Sequence, residues 1–418
     1  MYGQEETPDL VVLSRLVNFR DWDEMLELLA AHPNCCGNLD ALRLLGKALF
    51  PIPLERLDVF VALARIALDD GGYLTFGTTI LHMASACLKM ACSRGTPDMV
   101  QAVFRLAGPE PEKVAFSMNN LQLLHSYCPW IDERLPLHAV CASETHYLTT
   151  RTVKIIRLLL DANPLTALIK NQGGVAAASI LWDHHAIDES GNCILLKIPN
   201  KPLILQLACK FYNNESTLSL QDNLIDDSKQ KQVALLWSMI LIMANAAYQG
   251  EIGTSKEDLF CYPLHALAAL DCPHELWKFA LLLHGSHGLK EKDSNGHLPL
   301  HIVLNSYECR RNDSDMAVEY TSTTLPILLH HFPNAALEPF PTPNARLPLH
   351  VAISLGFQWH SELKCIFQAA PMVLGLRDHN TGLYPFMLAA TVCVDDLRCV
   401  ETIFELLSLD PNLVISIS

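Results

Sequence analysis

The sequence predicts an all-α protein built as a helical-repeat solenoid, and three observations predict it. A short phrase of proline, leucine and histidine recurs along the chain, and the apolar segments between its copies end at prolines. Half of the 418 residues are apolar and only 18% are charged, below the usual share of about 25%. Stacked units contact only their neighbours, so a solenoid can exceed the roughly 250–300 residues at which one compact core stops growing.

The recurring phrase is the strongest of these observations. Its clear copies are Leu135-Pro136-Leu137-His138, Tyr262-Pro263-Leu264-His265, Leu298-Pro299-Leu300-His301 and Leu347-Pro348-Leu349-His350. Altered copies are Thr79-Ile80-Leu81-His82 and Tyr384-Pro385-Phe386-Met387. Proline suits the first position of a helix, so each copy that has one predicts a helix beginning there. The histidine has two distinct ring nitrogens, and we expect it to bond the backbone of the adjoining turn.

A second pattern predicts where each unit ends. Apolar helical segments stop at Pro33, Pro164, Pro333, Pro371 and Pro411, because proline cannot continue a helix. Asp293-Ser294-Asn295-Gly296 and Asp378-His379-Asn380-Thr381-Gly382 then precede the next phrase. An aspartate followed by glycine predicts a tight turn, since the carboxylate accepts from its own backbone and glycine tolerates positive φ.

This unit resembles the ankyrin repeat, whose hallmark is Thr-Pro-Leu-His-x-Ala. Residues 236–248, 262–273 and 382–390 are similar, more closely, to the divergent ankyrin-like repeat proteins of diatoms. The resemblance implies an ankyrin-like helical-repeat solenoid with irregular insertions, binding other proteins through a concave groove and its projecting loops. The chain departs from the family in lacking the capping threonine in most copies. Its spacing is also uneven, with 36 residues from His265 to His301 and 49 from His301 to His350.

The expected organisation has four parts. Residues 1–75 form a helical N-terminal capping region, 76–212 degenerate ankyrin-like repeats, 213–232 a polar loop, and 233–418 clearer repeats with a C-terminal cap. The uncharged stretch 233–248 would reach about 24 Å as a helix, short of the roughly 30 Å hydrocarbon core. We therefore predict a buried helix there and no membrane span.

The composition of the chain and its lack of catalytic motifs narrow the range of functions that the sequence supports. A formal charge of −15 without a basic run argues against nucleic-acid binding, which needs clustered lysine and arginine. Fourteen scattered cysteines favour reduced thiols and an intracellular location, the cytoplasm with the nucleus as an alternative. The sequence has no nucleophile elbow, dinucleotide fingerprint or phosphate loop. We therefore predict a non-catalytic chain without cofactors.

Eighteen histidines raise the question of a metal site. The phrase histidines cannot share one ion, because neighbouring helices lie about 8–10 Å apart and zinc ligands lie about 2.0–2.3 Å from the metal. His184 and His185 with Asp188 leave a metal-dependent hydrolase as the least favoured alternative. A solvated loop is the preferred interpretation of that segment, and no metal site is predicted.

The predicted function is a scaffold that binds partner proteins. The candidate contact residues lie in the loops ahead of the phrase: Trp130, His297, Phe340, Arg346 and His379. Arginine and tryptophan are typical of binding hot spots. The alternative for Trp130 and for Phe340 is packing against the next loop. A second functional alternative is a substrate-receptor subunit of a ubiquitin ligase, with 1–68 docking the adaptor.

Overall fold

A computed structural model describes residues 8–31, 44, 59, 62–63, 92, 97–106, 136–142, 148–171, 174–187, 193, 195, 200–213, 228–252, 262–270, 272–310, 324–341, 345–392 and 397–411. The chain groups into two compact units. The first comprises residues 1–185 with 202–243, and the second comprises 186–201 with 244–418. Each unit is described below by itself.

The described part of the first unit consists mainly of helices. Its helices are α1 (Pro8–Phe19), α2 (Trp22–Ala31), α3 (Pro97–Leu106), α4 (Pro136–Cys141), α5 (Thr150–Ala162), most of α6 (Ala177–Ala186), most of α7 (Lys201–Tyr212) and the first part of α8 (Ser228–Ile252). Helix α1 packs on α2, and α5 packs on both α3 and α4. The side chains of Trp182 and Trp237 are fully buried.

The second unit places the phrase helices in a row. Its helices are α9 (Pro263–Ala269), α10 (His274–His284), α11 (Pro299–Arg310), α12 (residues 324–331), α13 (Pro348–Ser354), α14 (Lys364–Ala369), α15 (Pro385–Val392) and α16 (Leu397–Leu409). Helix α9 packs on α11, α11 on α13, and α13 on α15. Helix α16 packs on α15 and on a π-helical turn, Trp359–Leu363.

The prediction that the phrase begins helices is confirmed at every described copy. Helices α4, α9, α11, α13 and α15 each begin at the phrase proline. Tyr262 and Leu347, which precede that proline, provide no side-chain cap. A missing cap typically costs about 1 kcal/mol. Burial offsets this cost, because Leu264 and Leu349 are each at most 1% exposed.

The unit-ending prolines do more than stop helices. Pro164, Pro333 and Pro371 each begin a short 3-10 helix: Pro164–Ala167, Pro333–Leu337 and Pro371–Gly375. The fixed φ of proline suits the first residue of such a turn. Each turn buries small or aliphatic side chains, such as Ala335 and Ala336. The segments that follow these three prolines are therefore helical turns with buried side chains.

Helix α8 is longer than the apolar run suggested. It has 25 residues and begins at Ser228, so residues 228–232 of the predicted polar loop are helical; residues 214–227 lie outside the described residues. Lysine and glutamine favour helices, and the Gln232 amide bonds both the N–H and the carbonyl of Leu148, at 2.7 and 3.0 Å. Within the described chain, Lys229–Gln249 is long and apolar enough to cross a membrane, and 89% of its apolar 18-residue window is buried inside the protein.

The all-α prediction is confirmed for the residues that the structure describes. They form helices, turns and two isolated antiparallel bridges, Lys170 with Ala176 and Ile187 with Cys193. The copy at Thr79–His82 lies outside the described residues, as does most of the predicted capping region.

Candidate binding surface at the finger loops

Three loops of the second unit lie directly ahead of a phrase helix. We call them the first finger loop (residues 291–298), the second (338–347) and the third (376–384). Residues 342–344 of the second loop lie outside the described residues. The tips of the first and third loops are exposed at Ser294, Asn295, His379 and Asn380.

A phrase histidine holds the base of each finger loop. The ring nitrogen Nε2 of His265 lies 3.0 Å from the carbonyl oxygen of His297 in the first loop. The same nitrogen of His301 lies 3.1 Å from the oxygen of Glu338, and that of His350 lies 3.2 Å from the oxygen of Leu376. The predicted bond between a phrase histidine and an adjoining turn is therefore confirmed at His265, His301 and His350.

The hydrogen bonds of His301 indicate which of its two ring nitrogens carries the proton. Its Nδ1 accepts from the backbone N–H of Leu298 at 3.2 Å. The other nitrogen, Nε2, therefore carries the hydrogen and donates to Glu338. Burial lowers the pKa of His301 to about 4, and burial also lowers the pKa of His265 and of His350. These rings are neutral at pH 7, and His301 accepts from the N–H of the residue before the helix, as the third residue of a capping box does.

The first finger loop closes on a buried carboxylate. Oδ1 of Asp293 accepts from the backbone N–H groups of Asn295 and His297, at 2.9 and 2.7 Å. The Tyr248 hydroxyl donates to Oδ2. Burial alone would raise the pKa of Asp293, but the bonds from His297 and Tyr248 outweigh it and lower the pKa to about 2. Gly296 has a φ of 83°, which explains the glycine in the Asp-x-x-Gly turn.

The third finger loop closes in the same way and carries an ion pair. Asp378 accepts from the N–H and the hydroxyl of Thr381, at 3.2 and 2.8 Å. Its other oxygen lies 2.7 Å from Nε of Arg346 in the second loop. Arg346 also donates to the carbonyl of His350, at 3.2 Å, and to the Ser354 hydroxyl. The second and third loops are thus tied together beneath their tips.

The first unit contains an equivalent turn that sequence reasoning missed. The side chain and carbonyl of Asn171 accept from Val175 and Gly174, both at 2.9 Å, and Gly174 has a φ of 75°. The Val175 oxygen lies 3.1 Å from Nε2 of His138. Helix α6 begins two residues later at Ala177, where other units have the phrase proline. The sequence pattern that could have predicted this turn is Asn-x-x-Gly, because the asparagine side chain supplies an oxygen acceptor as aspartate does.

The structure gives the predicted contact residues different environments. Trp130 lies outside the described residues. The ring of Phe340 is stacked on His301, with centroids 4.3 Å apart, and lies 6.4 Å edge-on from His297. Phe340 therefore packs within the loops, the alternative foreseen for it. Arg346 is only 15% exposed and is used in the ion pair, so the expectation of an open guanidinium there needs correcting. His379 is exposed at a loop tip.

The phrase helices α9 and α11 contribute little exposed surface to a binding groove. Every side chain from Leu264 to Leu270 in and after α9 is buried, and so are Pro299 to Leu304 in α11. Helix α11 packs on α9 and on α13, which accounts for its burial. The candidate surface therefore consists of the exposed loop tips and the partly exposed His297 and Phe340.

The histidine pair of the hydrolase alternative lies on a helix, not in a solvated loop. His184 and His185 occupy the last turn of α6, with ring centroids 6.5 Å apart. Burial, with the neighbouring His184, lowers the pKa of His185 to about 4. Asp188 lies outside the described residues. Across the described ranges, no three histidine, cysteine, aspartate or glutamate side chains converge as metal ligands do.

Acid is expected to destabilise the second unit through the phrase histidines. The pKa of His301 is about 4 in the folded chain against about 6.5 unfolded. The unfolded state therefore binds more protons as the pH falls through this window, and stability present above about pH 6.5 is lost toward pH 4. Protonation linked to His301 alone should lower the free energy of unfolding by about 2 kcal/mol between about pH 7 and pH 5.

Urea unfolding at a series of pH values checks this expectation. His360→Gln, which changes an exposed histidine and leaves the buried rings in place, is the control and should still lose stability toward acid. Equal stability of the parent chain at about pH 7 and pH 5 would contradict the expected role of the buried rings.

Comparison with known proteins adds no further assignment. No known family model matches the sequence, and no curated protein is significantly similar to it.

Proposed function

We propose that this chain is a non-catalytic scaffold with an ankyrin-like solenoid architecture that binds partner proteins through its finger loops. We place it inside the cell, in the cytoplasm or the nucleus. We propose no contact with membranes or nucleic acid, because the charge of −15 would repel phosphate groups. The ubiquitin-ligase alternative stays a prediction, since residues 32–43 of its proposed docking part lie outside the described residues.

The observation that carries the proposal is the contrast between the base and the tip in the first and third finger loops. Their bases are held by the buried His265 and His350 and by the buried carboxylates of Asp293 and Asp378. The side chains of Asn295 and His379 are exposed at the tips and make no hydrogen bond, ion pair or ring contact within the described residues. Loops held on a rigid framework favour binding, because little conformational entropy is lost when a partner associates.

Affinity purification of the full chain with mass spectrometry tests the proposal. The double variant Asn295→Ala/His379→Ala removes the tip side chains and leaves the buried bonds in place. Lys364→Ala, at an exposed position on α14, is the matched control. We expect the double variant to lose at least one partner that the wild type and the control both retain. Identical partner lists for all three proteins would count against binding through the loop tips.

A further inference from the structure

One asparagine in the first finger loop combines a reactive sequence with an exposed side chain. Asn295 is the only asparagine in the sequence that glycine follows directly, and its side chain is exposed at the loop tip. The backbone nitrogen of the following residue can attack an asparagine side-chain amide, and glycine hinders this attack least because it has no Cβ. Asn295 therefore has the local chemistry of a deamidation site.

The turn itself requires the glycine that makes Asn295 reactive. Gly296 has a φ of 83°, in the left-handed region that other residues rarely adopt. A Cβ at this position would also lie 3.4 Å from the Pro341 ring. Any other residue at position 296 would therefore strain the loop, so the backbone conformation places the least hindered nucleophile beside Asn295.

The closed loop holds the attacking nitrogen in a hydrogen bond. The N–H of Gly296 donates to the carbonyl oxygen of Asp293 at 2.9 Å. The N–H of Asn295 donates to Oδ1 of Asp293, also at 2.9 Å, so the backbone on both sides of the reacting side chain is fixed. Attack requires the Gly296 nitrogen to lose its proton and turn toward Cγ of Asn295. The reaction therefore requires the loop to open.

Two helices hold the loop closed from outside it. The Tyr248 hydroxyl of α8 donates to Oδ2 of Asp293. Nε2 of His265 in α9 lies 3.0 Å from the carbonyl oxygen of His297. Opening the loop disrupts these bonds as well, and local opening of this kind has its own free energy, separate from global unfolding.

We propose that Asn295 is a deamidation site that the closed first finger loop protects and that reacts when the loop opens. In the open loop, hydroxide removes the Gly296 amide proton and the nitrogen bonds to Cγ of Asn295. The side-chain nitrogen then takes a proton from water and leaves as ammonia. Water opens the resulting succinimide ring to aspartate or isoaspartate, with no change of oxidation state. The reaction needs no partner protein, so its test is independent of the proposed function.

Either product opposes closure of the loop. Aspartate places a second negative charge two residues from the buried Asp293 carboxylate, and like charges at short range repel. Isoaspartate lengthens the main chain by one methylene group. Both changes weaken the bonds that Oδ1 of Asp293 accepts from Asn295 and His297. Deamidation therefore converts a transient opening of the loop into a lasting one.

Incubation of the full chain in mildly alkaline heavy-oxygen water, followed by peptide mass spectrometry, tests the proposal. Heavy oxygen marks the asparagines that hydrolyse during the incubation. Asn295 in the folded chain should convert at least about tenfold more slowly than in a synthetic peptide of residues 291–299, because several hydrogen bonds must break first. A matching peptide around Asn380 should convert more slowly than the Asn295 peptide, because Thr381 hinders its own nitrogen with a branched side chain.

A variant outside the loop tests the protection without changing the reacting residues. Tyr248→Phe removes the hydroxyl that donates to Asp293 and should speed conversion of Asn295 about tenfold, the loss of one bond to a charged group. Tyr384→Phe, at the end of the third finger loop, is the matched control and should convert Asn295 at the wild-type rate. Circular dichroism checks that both variants are folded.

Three results would overturn the proposal. Equal rates in the folded chain and the peptide would show that loop closure does not protect Asn295. A peptide that does not react would remove the site. A wild-type rate in folded Tyr248→Phe would show that the Asp293 carboxylate does not control opening. If Tyr248→Phe does not fold, the comparison of the folded wild type with the peptide decides the question.

Discussion

Replacing His301 with alanine is expected to lower the free energy of unfolding by about 3–5 kcal/mol. His301 is fully buried. Its loss leaves the N–H of Leu298 and the carbonyl of Glu338 without their partner, and each unsatisfied buried group costs about 1–3 kcal/mol. The stack with Phe340 is lost as well. Urea unfolding of the full chain measures the change.

His360 provides a matched control for His301. Its Nε2 also makes a hydrogen bond, to Glu401 at 2.9 Å, but its side chain is 61% exposed. An exposed pair contributes about 0–1 kcal/mol, so His360→Ala should cost less than about 1 kcal/mol. Similar losses for the two variants would show that the buried bond to the next loop is not what stabilises this unit.

Arg346→Ala should also cost about 3–5 kcal/mol, because it leaves the Asp378 carboxylate buried and uncompensated. The Asp378 side chain is fully buried and the Arg346 side chain is 15% exposed. Burial alone would raise the pKa of Asp378, but the bonds from Arg346 and Thr381 keep it lowered. Faster hydrogen exchange in peptides covering 376–384 is the local sign of a released third finger loop.

A double variant separates the ion pair from simple packing. Arg346→Met with Asp378→Asn removes both charges and retains much of the volume. It should be closer to the wild type than Arg346→Ala is, because no buried charge stays unpaired. A double variant less stable than Arg346→Ala would mean that Arg346 acts mainly through its bonds to His350 and Ser354.

The sequence alone predicts the parts of the fold that rest on local backbone chemistry. Proline at a helix start and aspartate with glycine in a turn depend on a few neighbouring residues. The proline pattern locates the starts of α9, α11, α13 and α15 correctly, and the aspartate–glycine pattern locates the turns before α11 and α15. The role of the histidines also follows, since a neutral ring can donate and accept at once.

Features that depend on distant residues escape such reasoning. From the sequence, Arg346 is predicted to be an exposed binding residue, because its ion pair with Asp378 is visible only in the structure. The turn at Asn171 and the start of α6 lack both proline and histidine, yet the same geometry forms because His138 meets the Val175 carbonyl. The extent of α8 depends partly on the contact of Gln232 with Leu148, 84 residues earlier.

The Nε2 hydrogen bonds of His265, His301 and His350 all run in one direction along the chain, from a phrase helix to the loop that follows it. Disruption of a phrase helix would therefore deprive the next loop of its donor while leaving earlier loops in place. Insertions and deletions in a phrase helix should accordingly destabilise the loop on its C-terminal side more than the loops on its N-terminal side.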